Sequence, residues 1–162
     1  MYILKPIGVV HSAPEDVIKS SFEGVKGVVE VFEEYAEGLH GIDGFSHIIL
    51  VAYLDRVSEE QRRVLKVRFR RLRIFGIESP EVGVFCSDSP HRPNPIALSI
   101  VKLIRREGRF LHVDGLDLFD GTPIVDIRAY TPDRAICDAE FPEWYISLRR
   151  AVEGKISQRS GL

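Results

Sequence analysis

The sequence predicts a mainly β fold: a β-barrel with a few short helices. Three observations carry this. Short β-type runs recur along most of the 162 residues, each closed by Gly, Pro or Asp. These runs outnumber the helical patterns, and their spacing leaves little room for the crossover helices of a doubly wound parallel sheet. With 44% apolar and 28% charged residues, the chain can build one core under a solvated surface and is not a wholly disordered protein.

In chain order, strands are expected over residues 3–10, 26–32, 47–53, 64–75, 81–86, 96–104, 110–116 and 124–130. Residues 33–39 read as a helix. Ser58, with Gln61 three positions on, reads as a capping box that opens a further turn. Residues 142–152 read as a helix whose Trp144, Leu148 and Val152 share one face, expected to pack on the barrel or on a partner subunit. The expected division is a barrel domain over 1–135 and a C-terminal helical extension over 136–162, its polar tail from Gly154 frayed.

Composition also narrows the function. The 22 Lys and Arg against 24 Asp and Glu give a net charge of −2. The longest apolar run, residues 48–54, is far short of the roughly 20 residues a membrane helix needs. The first residues lack the pattern of a secretory signal, so a cytoplasmic protein with no membrane partner is expected. Cys86 and Cys137 lie far apart without ligand spacing and read as two buried thiols, and no metal is expected. No GxGxxG motif, P-loop, GxSxG elbow or HExxH occurs, which disfavours a Rossmann cofactor site and metal-dependent hydrolysis.

Three features could carry chemistry. The first is the loop at residues 87–95, with Pro90, Pro93 and Pro95 around His91, Arg92 and Asn94, the only asparagine in the chain. Prolines stiffen such a loop and donate no hydrogen bond, leaving neighbouring carbonyls to accept from a ligand. A rigid connection between strands is the competing reading. The second is residues 114–126, where Asp120-Gly121 between two β-type runs signals a hairpin. Turn chemistry explains Asp120, but not Asp126 inside a strand; Asp117, Asp120 and Asp126 are the carboxylate candidates. The third is a basic run, Arg62, Arg63, Lys66, Arg68, Arg70, Arg71 and Arg73, seven bases in twelve positions with no acid among them. It suits phosphate binding, or else guards an exposed edge strand, with Arg68 and Arg70 on one face.

The segments at residues 89–99 and 116–128, with Ile7-Gly8-Val9-Val10 and residues 41–47 in the same order, resemble the TsaA-like family of TrmO-type methyltransferases. The resemblance implies a barrel methyltransferase that works as a homodimer. It implies S-adenosyl-L-methionine as cofactor and tRNA as partner, with N6-methylation of threonylcarbamoyladenosine beside the anticodon. Family cofactor contacts carry over to Leu98, Leu118, Phe119, Asp120 and Gly121, and by position to Asp55, Arg56 and Asp88. At the last three the chain departs from the bacterial pattern, as it does at Lys19-Ser20-Ser21 and Ala97. The catalytic candidates under this reading are Asp120, Asp126, Arg92 and Asn94, together with the carbonyls of residues 92–95. Arg68, Arg70 and Arg71 would hold the RNA. The alternatives are a cofactor-binding protein with another substrate and a non-catalytic RNA- or ligand-binding barrel.

Overall fold

Period-two alternation closes the sheet. In β3 (His47–Tyr53), Ile48, Leu50 and Ala52 are fully buried and alternate with outward-facing Ile49, Val51 and Tyr53. The computed structural model describes residues 1–160. The described residues fall into two units, one of residues 1–58 and 94–134, the other of residues 59–93 and 135–162 as far as they are described.

The first unit is a closed antiparallel barrel in the order β1-β2-β7-β6-β3-β8. Its other strands are β1 (Gly8–His11), β2 (Val25–Val31), β6 (Ile96–Glu107), β7 (Phe110–Leu116) and β8 (Pro123–Ala129). Val10, Val29, Leu50, Val101, Leu111, Val113 and Ile124 fill it. The expected barrel class is what forms. The first strand starts only at Gly8, since residues 1–5 are exposed and lack a pairing partner in the sheet.

One connection differs from expectation. Strands β7 and β8 are not neighbours, so residues 117–122 form a crossing turn and not a hairpin. The local chemistry is as read: Gly121 takes φ 82°, and the Thr122 amide donates to the Phe119 carbonyl at 3.1 Å. The pairing, however, goes to β1, through Gly121 N to Val10 O at 2.8 Å and Val10 N to Thr122 O at 3.0 Å. Turn residues specify how the chain bends; which strand receives it is set by the long-range ladder.

The short helix α1 (Glu15–Ser20) was not anticipated, although Glu15 and Asp16 in its first turn and Lys19 in its last match the helix dipole. Residues 33–39 form a 3-10 helix.

The second unit holds the basic run. The expected strand over 64–75 reduces to β4 (Lys66–Val67), and that over 81–86 to β5 (Val82–Gly83), the two paired antiparallel. From Arg70 to Phe75 the chain is a 3-10 helix, closed by Gly76 at φ 69°. The reason is periodicity: the less exposed residues Phe69, Leu72 and Phe75 recur every three positions, the spacing of a 3-10 turn. Arg68 and Arg70 therefore do not share a strand face. The turn opened by Ser58 is the single helical turn α2 (Glu59–Arg62).

The C-terminal helix α3 (Glu143–Ser160) presents Trp144, Leu148 and Val152 as one half-buried face, as read. Within its own unit the helix meets the basic 3-10 turn: Trp144 stacks on Phe69 with centroids 6.2 Å apart. Residues 154–160 of the expected frayed tail are helical, held where Arg159 lies 4.6 Å over the buried Phe75 ring; its last two residues lie outside the described residues. Cys86 and Cys137 are exposed, not buried.

Candidate functional site

The crossing turn brings chemistry to one end of the barrel. Buried Leu118 anchors it, and Ser99 Oγ, in a largely buried residue, donates to Asp117 Oδ1 at 2.6 Å. Beyond this anchor, Phe119 and Asp120 emerge beside the segment that follows β1. The Ser12 amide donates to Asp120 Oδ1 at 2.9 Å, and Arg56 donates to the Asp120 carbonyl at 2.8 Å.

Arg56 joins three partners. Its second guanidinium nitrogen meets Glu15 at 3.1 Å, and its plane lies 5.5 Å from the Phe119 ring centroid. Lys19 sits 5.6 Å from the same ring and pairs with Glu15 at 2.5 Å. The hydrogen bond from Lys19, with the charges of Lys19 and Arg56, holds the Glu15 carboxyl below the usual range. Ser12, Pro14, Glu15, Arg56, Phe119 and Asp120 line an open cavity of about 250 Å³. Among the described residues Ser12 Oγ, buried here, has no hydrogen-bond partner, a polar atom left for a ligand to satisfy.

Of the residues read as a cofactor set, Arg56, Phe119 and Asp120 therefore converge, with Leu118 and Gly121 adjoining them in the chain. Glu15 and Ser12 were missed by sequence reading; the charge pattern of α1 was the available signal for Glu15, and nothing marked Ser12. Leu98 and Asp126 do not line this cavity. Both pair with Val51, so the three form a row across the outer face of β6, β3 and β8. Asp126 spends both oxygens locally, accepting from Ile127 N at 2.9 Å and Arg128 Nε at 3.1 Å.

Asp55 and Asp88 are exposed. In the proline loop, Arg92 folds back to donate to the Ser87 carbonyl at 2.8 Å. Two carbonyls expected to be free are engaged: Asn94 O accepts from Ile96 N at 2.7 Å, and Pro95 O from Leu54 N at 2.8 Å. Removing donors from prolines does not keep neighbouring amides from finding these acceptors. Arg68 and Arg70 line a basic cavity in the second unit, whereas Arg71 lines neither that cavity nor its neighbour.

Residues 10–135 match the family model for the tRNA-methyltransferase O N-terminal domain. The chain belongs to this family. A probable S-adenosyl-L-methionine-binding protein of Pyrococcus abyssi is 39% identical to this TrmO-family chain over 82% of its length and 70% of the relative's. A mouse tRNA (adenine(37)-N6)-methyltransferase is 34% identical over 64% of the chain and 22% of the relative. The crystal structure of TrmO from Pseudomonas aeruginosa superimposes with a TM-score of 0.66 at 27% identity, covering 86% of this chain. The chain spans 61% of the length of that solved protein.

Proposed function

We propose that the chain uses S-adenosyl-L-methionine to methylate N6 of the adenine beside the anticodon of tRNA, the modified base being threonylcarbamoyladenosine. The observation that carries this reading is the convergence of Ser12, Glu15, Arg56, Phe119 and Asp120 on one cavity. The donor set suits the cofactor. Phe119 offers a ring face, Glu15 and Asp120 offer carboxylates to its cationic groups, Arg56 offers a guanidinium to its carboxylate, and Ser12 Oγ has no partner among the described residues. A cavity of about 250 Å³ encloses part of a ligand of this size. When bound, the cofactor supplies an electrophilic methyl group on a sulfonium. The family and the names of the Pyrococcus and mouse relatives support the same chemistry.

Adenine N6 is a poor nucleophile, so the protein must orient it and take up its proton. Asp120 is better placed for this than Asp126: Ser12 holds Oδ1 of Asp120, and no described residue engages Oδ2. Arg92, bonded to the Ser87 and Ser89 carbonyls, holds its own loop in shape, and Arg68 and Arg70 hold RNA phosphate. The working form is a cytoplasmic homodimer. Exposed Leu98 and Ile100, beside Val51 and Ile49, give the outer barrel face an apolar patch suited to a second copy.

Incubation with S-adenosyl-L-methionine and tRNA carrying threonylcarbamoyladenosine, followed by nucleoside analysis, tests the reading. A methylated product at that base is expected. Cofactor binding with no product on any tRNA would reduce the chain to a binding protein.

A further inference from the structure

The larger of two adjoining cavities in the second unit measures about 450 Å³. Lys66, Arg68, Arg70 and Arg73 line it with His91, and Glu81 is its one carboxylate. Four permanent cations against Glu81 here and Glu78 in the adjoining cavity leave a local excess of two positive charges on a chain whose net charge is −2. Among the described residues, none of Lys66, Arg70 and Arg73 takes part in an ion pair. Unneutralised like charges around one hollow repel one another, and an anion placed among them relieves that repulsion.

The cluster is also built, not loosely assembled. Ser79 fixes its rim, accepting from Arg68 Nη1 at 3.0 Å through its carbonyl and from the Phe69 amide at 2.8 Å through Oγ. The β4–β5 ladder sets Lys66 opposite Gly83, and Gly76 closes the turn that carries Arg70 and Arg73. On the His91 side, Ser89 Oγ accepts from the His91 amide at 3.3 Å. Three of the four cations are arginines, whose planar forks match phosphate oxygens in pairs.

We propose that this cavity is a phosphate-binding site, seating a backbone phosphate of the RNA. The occupant rests on the RNA-modifying reading above; the phosphate chemistry does not. Of the basic run read as phosphate-binding, the cavity gathers Lys66, Arg68, Arg70 and Arg73, leaves out Arg71, and adds His91.

Trp144, the single tryptophan, stacks on Phe69, which lines the smaller cavity together with Arg68, Arg70 and Arg73. Binding is measured by calorimetry, with Trp144 emission as a second readout. The experiment titrates inorganic pyrophosphate, and separately tRNA at several salt concentrations, into three proteins: the parent, Arg70→Gln/Arg73→Gln, and the charge-matched control Arg105→Gln/Arg149→Gln. Lys66→Gln is a second cavity variant outside the 3-10 turn, and far-ultraviolet dichroism checks that all are folded. Pyrophosphate is expected to bind the parent and the control alike, and the double cavity variant at least tenfold more weakly. For tRNA, the same variant should lose at least tenfold, with the salt slope shallower by about 1.4, the share of two single-strand phosphate contacts. No pyrophosphate binding by the parent, or equal loss in the control, overturns the site. Binding of pyrophosphate through Arg70 and Arg73 without any tRNA binding overturns the RNA reading alone and identifies a free polyphosphate as the occupant.

Discussion

The backbone amide of Ser12 and the carboxylate of Asp120, 108 positions apart, meet at 2.9 Å and bind the end of β1 to the crossing turn. Because the bond uses one carboxylate oxygen, its structural and chemical uses are separable. Asp120→Asn keeps an acceptor for Ser12 and should fold with an unchanged melting temperature. It loses the charge facing the cavity, and charge-assisted bonds are roughly twice as strong as neutral ones. Calorimetry should show cofactor binding, or turnover, at least about tenfold weaker, equivalent to about 1.4 kcal/mol. Equal affinity and turnover would leave Asp120 a turn residue only.

The outer face of β6 carries Leu98 and Ile100 at 68% and 58% exposure. Leu98→Asp/Ile100→Asp should convert a dimer to a monomer in sedimentation while retaining the parent's dichroism spectrum, because neither side chain contributes to the barrel core. A parent that is monomeric at all concentrations would remove the dimer from the reading.

Gly24 takes φ 78°, and a Cβ built there would lie 2.4 Å from the backbone carbon of Gly115, itself at φ 83°. The two glycines face each other where the β2–β7 register shifts. Gly24→Ala meets both backbone strain and rigid overlap, and should destabilise the barrel by about 3 kcal/mol in urea unfolding. Gly38→Ala, with open space around it, is the matched control.

Glu30 accepts from His11 at 2.8 Å and Arg109 at 2.6 Å, and these bonds hold its carboxyl below the ordinary value of 4.5. A carboxylate with a depressed folded pKa stabilises the fold above its unfolded value, and this contribution is lost as pH falls through the folded one. The melting temperature of Glu30→Gln should therefore lie below the parent's at pH 7, and the gap should close on acidification below about pH 4. A gap that is constant with pH would remove Glu30 from the acid response.

Local alternation made the barrel strands legible: β3 and β7 occupy the expected residues, and the others shift mainly at their ends. The basic segment was not legible as a 3-10 turn, because Val64, Val67, Phe69 and Phe75 also fit a strand and only burial distinguishes a period of three. The Asp120 turn was visible from Asp-Gly, but its partner was not, since nothing local says that β1 receives Gly121. The candidate site was half legible. Phe119 and Asp120 stand in a recognisable segment, whereas Glu15 and Ser12 join them through contacts more than 100 positions distant in the chain from that segment.

Where β1 meets β8 the register holds just two pairs, Gly8 with Ile124 and Val9 with Pro123, against seven between β3 and β6. The barrel is thinnest there, and the Ser12–Asp120 and Val10–Gly121 bonds fasten the same margin. Local opening favours such short ladders, so the amides of Val10, Ser12 and Gly121 should exchange with solvent sooner than those of β3. A ligand lodged against Ser12 and Asp120 would act as a clasp on that margin and slow their exchange most. Occupancy of the cavity and integrity of the cylinder would then be two aspects of one equilibrium, a ligand stabilising the protein by holding shut its shortest ladder.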